Sequence, residues 1–363
     1  MSPRLFESIR VGDISLAHRV VYAPMTRMRT TEDGTVTELA TEYYAQRAHT
    51  PGTLLIGETV FVAPQASGYA SIPGLWTDAH IARWKEVVDA VHAKGSFIAI
   101  QIGGVAGAAQ GDYLESRGYE HVGAFSSSAL SPDLHPRALT LVEIKEWVGY
   151  YVAAAKAAVE RAGADIVELH AANGDALEEF LSKNWNKRKD EYGGAPGNRA
   201  KFLLDVVDAV VRAIGARKVG VRISPWSPFL NMRMADADIV ETYTVVVTSL
   251  RERFPDLAYL HVIQPRISAH EDTDIGAGDS DAFVRELWGN GRAYIAVGGF
   301  TRATALQRAE ESGDLICFGR HFLANPDLVK KLEKDTPLTP YNRATFYTPG
   351  PEGYIDYPVE QSS

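Results

Sequence analysis

Residues 78–102 have the sequence DAHIARWKEVVDAVHAKGSFIAIQI, in which a helical pattern is followed directly by a short apolar run. Ile81, Trp84 and Val88 recur at helical spacing, and a Lys-Gly pair then marks the end of the helix. The run FIAIQI (97–102) is short and mostly apolar, as strands covered on both faces are. A helix that alternates with a fully covered strand is the repeating unit of α/β folds.

The same alternation continues in both directions along the chain. Eight short apolar runs predict strands at residues 20–23, 53–58, 97–102, 165–170, 218–223, 258–263, 293–297 and 315–319. The segments between them predict helices at residues 78–93, 141–162, 198–214, 236–253, 281–287, 301–311 and 326–334. Eight such strands favour one (β/α)8 TIM barrel, in a single domain over residues 1–363, rather than two doubly wound domains.

Two additions to this barrel are predicted. Residues 9–16 form a hairpin pattern around Gly12-Asp13, and we expect the hairpin to close the bottom of the barrel. Residues 103–132 form a long loop rich in Gly and Ser after the third strand. A loop of this length at the top of a barrel usually covers or shapes an active site.

The composition excludes several classes of protein. The 363 residues carry a net charge of −9, which argues against a nucleic-acid or anionic-membrane partner. The single cysteine, Cys317, lies in an apolar run, so it predicts a buried structural thiol and no multi-thiolate metal site. There is no signal-peptide pattern and no apolar run of ~20 residues, so we expect a cytoplasmic enzyme.

Polar residues at the predicted strand ends define the candidate site, because the chemistry of a barrel lies at the C-terminal ends of its strands. The turns after the last two predicted strands, Gly298-Gly299 and Gly319-Arg320, would expose backbone N–H groups, and Arg320 would add a guanidinium that can donate two parallel hydrogen bonds. This combination predicts a phosphate site. No strand ends in lysine and no cluster of carboxylates and imidazoles is present, which argues against a Schiff-base barrel and a metal site.

Three further strand ends carry a hydroxyl, an amide and a permanent cation, at Thr26, Gln101 and Arg222. These groups suit a flat heteroaromatic ring with alternating donors and acceptors, and an isoalloxazine fits. The alternative for Arg222 is a buried ion pair with a carboxylate such as Glu168.

The chain resembles the old yellow enzyme family of FMN-dependent ene-reductases, essentially from end to end. The motifs that carry the resemblance are HRVVYAPMTR (18–27), YYAQRA (43–48), GYASIPGLWT (68–77), HAANG (170–174), NKRKDEYGG (186–194), VGVRISP (219–225) and FGRHFLANPDL (318–328). The segment TFYTPGPEGYIDY (345–357) is most similar to the fungal and plant members.

This resemblance implies FMN at the barrel mouth, NADPH or NADH as hydride donor, a small-molecule substrate and a monomer or homodimer. The implied cofactor contacts are Pro24, Met25, Thr26, Thr59, Gln101, Arg222, Gly298, Gly299, Gly319 and Arg320. His170 and Asn173 would hold the carbonyl oxygen of an α,β-unsaturated substrate, with Tyr347 as a further substrate contact. The alternative for His170 is a hydrogen-bonded core residue.

The sequence departs from the family pattern at Asp175, where the family commonly has a proton-donating tyrosine. Asp175 begins a D-x-x-E capping-box pattern with Glu178, so one interpretation is a helix N-cap. The other is an acid or base with a pKa raised by a desolvated pocket. Otherwise the proton would come from solvent, Tyr347 or Tyr113.

A second departure follows the third strand, where Gly103 and Gly104 stand in place of bulky family residues. We expect this change to open space above the cofactor and to admit a larger substrate. Two active functions remain: reduction of a bulky specialised-metabolite enone, or isomerisation, cyclisation or dehydrogenation in which Asp175 moves a proton. The His170/Asn173 pair argues against a silent flavin-binding protein, because binding FMN does not require it.

Overall fold

Eight parallel strands close into a barrel in the computed structural model, which describes residues 2–125, 136–268, 271–272, 274, 276 and 278–359. Strands β1 to β8 are Val20–Tyr22, Leu54–Ile56, Phe97–Gly103, Ile166–Ala171, Val219–Ile223, Tyr259–Ile263, Tyr294–Val297 and Leu315–Phe318. Each strand pairs in parallel with the next, and β8 pairs with β1, which closes the ring. The predicted (β/α)8 barrel is confirmed.

In the described part of the chain, eight helices surround the strands. Helices α1 to α8 are Glu38–Arg47, Asp78–His92, Leu141–Lys156, Pro196–Ile214, Asp236–Arg253, Ala282–Trp288, Arg302–Ser312 and Leu328–Lys334. The sequence did not predict α1, because its buried face is built from Tyr43, Tyr44 and Arg47 rather than from aliphatic residues. Helix α3 begins with a capping box between Thr140 and Glu143, and a π-helical turn, Ala157–Arg161, follows it.

The loops contain shorter strands, α-helices and 3-10 turns. Further strands are Val60–Phe61 (parallel to β3), Val122–Gly123 (parallel to Arg137–Ala138) and Ile267–Ser268 (antiparallel to Glu271–Asp272). Short α-helices are Gly111–Ser116, Ala176–Leu181 and Arg320–Ala324. The 3-10 turns are Arg4–Phe6, Pro64–Ala66, Ala216–Lys218, Phe229–Asn231 and Arg343–Thr345. No helix among the described residues is long and apolar enough to cross a membrane.

The predicted hairpin closes the N-terminal end of the barrel. Strands Ile9–Val11 and Ile14–Leu16 pair antiparallel around Gly12, whose φ of +54° suits glycine. Arg217, just before β5, donates to the carbonyl of Gly12 at 2.6 Å. The apolar hairpin side chains join a core cluster with residues inside the barrel. Cys317 belongs to that cluster and is buried, as predicted.

The loop after β3 and the C-terminal segment both lie over the top of the barrel. Residues 126–132 of the predicted loop fall outside the described residues. The preceding part is held by Glu179, whose carboxylate accepts the backbone N–H groups of Gly107 and Ala124. The C-terminal segment, residues 341–357, is bound by buried arginines: Arg27 donates to the carbonyls of Phe346 and Gly353, and Arg29 donates to four carbonyls of the same segment.

Candidate active site

A cavity of about 420 Å³ opens at the C-terminal ends of the barrel strands. Every residue predicted for the site lines it, namely Pro24, Met25, Thr26, Thr59, Gln101, His170, Asn173, Asp175, Arg222, Gly298, Gly299, Gly319, Arg320 and Tyr347. Tyr113, the other proposed proton source, lies on the helix Gly111–Ser116 and is not among the lining residues. The structure thus brings the predicted residues together, whereas their individual roles stay predictions.

Gln101 lies on the cavity wall with both ends of its amide engaged. Its Oε1 accepts a hydrogen bond from the hydroxyl of Thr59, and its Nε2 donates to Glu168 Oε1 at 2.5 Å. Because a carboxylate can only accept, Glu168 fixes which end of the amide is the nitrogen. One N–H and one carbonyl lone pair of Gln101 remain for a ligand.

Arg222 is a buried cation without a hydrogen-bonded anion. Its Nε is buried and has no partner in the described part of the chain. Glu168 does not form the predicted alternative ion pair with Arg222, since its oxygens bind Gln101 and His261 instead. Burial lowers the pKa of Arg222, and the charge of Glu168 opposes that shift. A guanidinium in this position offers its charge and its donors to a bound anionic or polar group.

The glycines after β7 and β8 form the opposite side of the cavity. Gly298 and Gly299 have φ of +147° and +58°, so a side chain there would be strained. A β-carbon at Gly319 would come within 3.2 Å of Met25 Sδ. Backbone therefore borders the cavity here, and the Arg320 guanidinium lies 5.4 Å from the ring centre of Tyr341. This arrangement fits the predicted phosphate site.

His170 and Asn173 present buried polar atoms without protein partners. His170 Nδ1 and Asn173 Oδ1 are both buried and unsatisfied among the described residues. Burial, with the nearby charges of Arg222 and His261, lowers the pKa of His170 well below its usual value, so the ring is neutral. Neutral imidazole and amide side chains can each donate one hydrogen bond to a ligand oxygen.

The turn that carries Asn173 is fixed by a hydrogen-bond network. Asn173 has φ of +54° and Gly174 has φ of +78°, so both residues are in the left-handed region. The N–H of Asn173 donates to Ser224 Oγ at 3.0 Å, and the N–H of Gly174 donates to Glu178 Oε2 at 2.7 Å. Ser224 in turn donates to Glu178. Local sequence pattern does not predict that Ser224 and Glu178 support this turn.

Asp175 is both a helix N-cap and a buried carboxyl at the cavity. It is the N-cap of the helix Ala176–Leu181, because its Oδ1 accepts the N–H of Leu177 at 3.2 Å. The capping-box half of the prediction is wrong, since Glu178 binds the N–H of Gly174 instead of that of Asp175. Burial, with the charge of Glu178 adding to it, raises the pKa of Asp175 well above its usual value. Tyr151 donates to the same carboxylate at 3.3 Å.

The glycines after β3 leave less free space than the sequence suggested. A β-carbon at Gly103 would overlap Asp175 Oδ2 and would lie 3.0 Å from the methyl group of Thr59. Glycine at 103 therefore makes room for Asp175 itself rather than for a substrate. The prediction of a larger substrate stays untested, and Val105 is the residue of this loop that borders the cavity.

The site also contains a buried polar pair that sequence reasoning missed. Glu168 Oε2 and His261 Nδ1 lie 2.8 Å apart in the interior of the barrel. A signal was available, because Glu168 is a charged residue within an apolar strand and is in register with Gln101. Among the described residues, no group of three or more His, Cys, Asp or Glu side chains could hold a metal ion.

Comparisons with known proteins agree with this architecture. The family profile described as "NADH:flavin oxidoreductase / NADH oxidase family" matches residues 4–339. An NADP-dependent oxidoreductase, lnbE, of Aspergillus flavus is 39% identical, with 100% of this chain and 98% of the relative covered. The chanoclavine-I aldehyde reductase fgaOx3 of Penicillium roqueforti is 42% identical, with 98% and 96% covered. A relative named as a probable inactive dehydrogenase, easA of Claviceps fusiformis, is 40% identical, with 99% and 96% covered.

Solved structures show the same fold. Old yellow enzyme from Pichia sp. AKU4542 superposes with a TM-score of 0.89 at 32% identity, covering 99% of this chain and 95% of that one. Morphinone reductase superposes with a TM-score of 0.89 at 34% identity, covering 99% and 97%.

The residues present fit the flavin that these relatives imply. The unpartnered Nε of Arg222 and the half-engaged amide of Gln101 face one cavity, and glycine backbone borders its far side. A planar ring with polar edges and a phosphate would satisfy these groups. The chain therefore belongs to the NADH:flavin oxidoreductase / NADH oxidase family, which includes old yellow enzyme, and is an FMN-dependent NAD(P)H oxidoreductase.

Proposed function

We propose that this enzyme reduces the activated C=C bond of a bulky α,β-unsaturated aldehyde or ketone of specialised metabolism. The observation that carries the proposal is the His170/Asn173 pair, which lines the same cavity as Arg222 and Gln101. His170 Nδ1 is buried without a partner among the described residues, and the amide Nδ2 of Asn173 is the group that can donate. FMN binding alone does not require such a pair. The relative named as chanoclavine-I aldehyde reductase supports an aldehyde substrate class.

In this proposal the cofactor is held by two groups of residues. Thr26, Gln101 and Arg222 contact the ring, with Pro24, Met25 and Thr59 beside it. The backbone at Gly298, Gly299 and Gly319 and the guanidinium of Arg320 hold the phosphate. When bound, FMN supplies hydride storage between the nicotinamide and the substrate. NADPH is the donor that the name of the lnbE relative supports.

The residues of the β4 turn bind and polarise the substrate. His170 and Asn173 each donate a hydrogen bond to the carbonyl oxygen, which draws electron density from the β-carbon. Because the pKa of His170 is lowered by burial, the ring donates a hydrogen bond as a neutral group and does not protonate the oxygen. The network through Ser224 and Glu178 keeps Asn173 in its left-handed conformation, so the donor is in place before the substrate binds.

A second function is favoured by Asp175. Its carboxyl group lines the cavity, and burial raises its pKa well above the usual value, which favours the protonated form. A protonated acid in contact with the substrate can move a proton in an isomerisation, a cyclisation or the reverse, dehydrogenating reaction. Full retention of activity in a folded Asp175→Asn variant would exclude this function.

Anaerobic stopped-flow measurement of the FMN-loaded enzyme tests the main proposal. Mixing with NADPH, and separately with NADH, should bleach the visible flavin band, and a bulky enal should then restore it. His170→Ala should slow the restoration by a hundredfold or more, as loss of an oxyanion donor does. The matched control is His92→Ala, because His92 lies on α2 and pairs with Asp165 outside the cavity. Bleaching that no enone or enal reverses would contradict the proposal.

A further inference from the structure

Glu168 is a carboxylate enclosed by the barrel. It lies on β4 with no exposed surface, and both of its oxygens are hydrogen bonded, to Gln101 at 2.5 Å and to His261 at 2.8 Å. Glu168 does not line the cavity. Any influence that it has on a ligand must therefore be exerted either through the residues that it holds or through its charge.

The first such residue is Gln101. Its amide is held between the hydroxyl of Thr59 and the carboxylate of Glu168, in register across β3 and β4. A hydrogen bond to a charged partner is about twice as strong as a neutral one. Glu168 therefore keeps the nitrogen of Gln101 turned toward the barrel interior and its remaining N–H and lone pair available at the cavity.

Glu168 also acts on Arg222, on the neighbouring strand β5, through its charge rather than through a hydrogen bond. Burial would raise the pKa of Glu168, but the hydrogen bonds from His261 and Gln101 and the charge of Arg222 lower it overall, so the group is an anion. Burial lowers the pKa of His261, so the imidazole is neutral. Arg222 and Glu168 are thus a buried cation and a buried anion that no hydrogen bond joins within the described part of the chain. Glu168 reduces the positive potential that Arg222 presents to the cavity.

We propose that Glu168 is a positioning residue that orients Gln101 and whose negative charge lowers the reduction potential of the bound FMN. Hydride uptake adds negative charge to the flavin ring, and a fixed anion close by disfavours that charge. The same anion makes the reduced cofactor a stronger hydride donor. This inference depends on the flavin site alone, so it does not fail if the proposed carbonyl substrate is wrong.

The test is the midpoint potential of the holoenzyme, measured anaerobically against a reference dye. In Glu168→Gln, which keeps the shape and removes the charge, we expect reduced FMN to gain at least tenfold in affinity relative to oxidised FMN. A tenfold change corresponds to a positive shift of about 30 mV for a two-electron couple. Oxidised FMN should bind more weakly, because Gln101 is less firmly held.

The matched control is Glu179→Gln. Glu179 is also fully buried, but it accepts backbone N–H groups of the β3 loop and does not line the cavity. The midpoint potential of FMN bound to Glu179→Gln should equal that of the wild-type holoenzyme. A Glu168→Gln enzyme with unchanged potential would overturn the proposal and leave Glu168 a purely structural role.

A second variant keeps the test open if Glu168→Gln does not fold. Glu168→Met removes the charge together with both acceptor oxygens, so it does not depend on a change of protonation. The potential should then shift in the same positive direction, and an unchanged potential would again overturn the proposal.

Discussion

Asp175 Oδ2 accepts the backbone N–H of Gly104 at 2.9 Å, so the two departures of this sequence from its family pattern are in direct contact. A β-carbon at Gly103 would overlap the same oxygen atom. The aspartate after β4 and the glycines after β3 are therefore one structural change. Asp175 beside a larger residue at position 103 would clash with it, and glycine at 103 without Asp175 would leave a void.

This contact predicts that Gly103 and Asp175 are energetically coupled. Gly103→Ala should lower the free energy of unfolding by about 1–3 kcal/mol, because the added methyl group displaces a carboxyl held by three hydrogen bonds. In an Asp175→Ala background the same substitution should cost at least about 1 kcal/mol less. Urea unfolding of the four proteins measures the coupling. Gly149→Ala is the control, since no atom lies within 4 Å of its added β-carbon; equal costs in the two backgrounds would contradict the contact.

The stability of the protein should depend on pH through Glu179. Burial raises the pKa of this carboxyl to about 7. Its folded pKa is above its unfolded pKa, so the folded state binds more protons and stability falls as pH rises from about 4.5 to about 7. The shift corresponds to roughly 3 kcal/mol at most. Glu179→Gln should flatten this part of the pH profile in urea unfolding, and an unchanged slope would show that Glu179 is ionised in the folded protein throughout.

Ser224 should matter for substrate binding although it does not line the cavity. Ser224→Ala removes the acceptor for the N–H of Asn173 and a donor to Glu178, so the left-handed turn loses its support. We expect kcat/KM for an enal to fall about tenfold, equivalent to ~1.4 kcal/mol, with FMN affinity unchanged. Ser227→Ala is a matched control, because Ser227 is buried like Ser224 and its hydroxyl accepts, within the described part of the chain, only the N–H of Phe229 in its own loop. If Ser224→Ala and Ser227→Ala had the same kcat/KM for the enal, Ser224 would have no role in positioning Asn173.

The sequence predicted those parts of the molecule that depend on local pattern. Strand ends such as Gln101 and His170 follow from short apolar runs, and a closed barrel brings such ends together. The sequence could not predict which side chains fill the space between the loops. Local pattern suggested a capping box for Asp175 and Glu178, but Glu178 binds the turn before the helix. Glycine at 103 suggested open space, which the side chain of Asp175 occupies.

Two buried arginines should respond in opposite ways to replacement by methionine. Arg47 donates to the carbonyls of Tyr43, Leu323 and Tyr354, so Arg47→Met leaves buried acceptors unpaired. Its unfolding free energy should fall by about 3 kcal/mol or more. The Nε of both arginines is buried without a partner among the described residues, but Arg222, unlike Arg47, has no hydrogen bond through its other nitrogens there either, so Arg222→Met removes the cost of burying a cation that is not hydrogen bonded.

The flavin-free Arg222→Met protein should therefore unfold at a urea concentration equal to or above that of flavin-free wild type. The same variant should bind FMN at least a hundredfold more weakly in a fluorescence titration, because the cation meets its partner only when the cofactor is present. If flavin-free Arg222→Met were as unstable as Arg47→Met, Arg222 would be a structural residue. Retained FMN affinity would instead remove the cation from the cofactor site. If Arg222 is retained for binding FMN, Arg222→Met should gain stability in the flavin-free state and lose affinity for FMN.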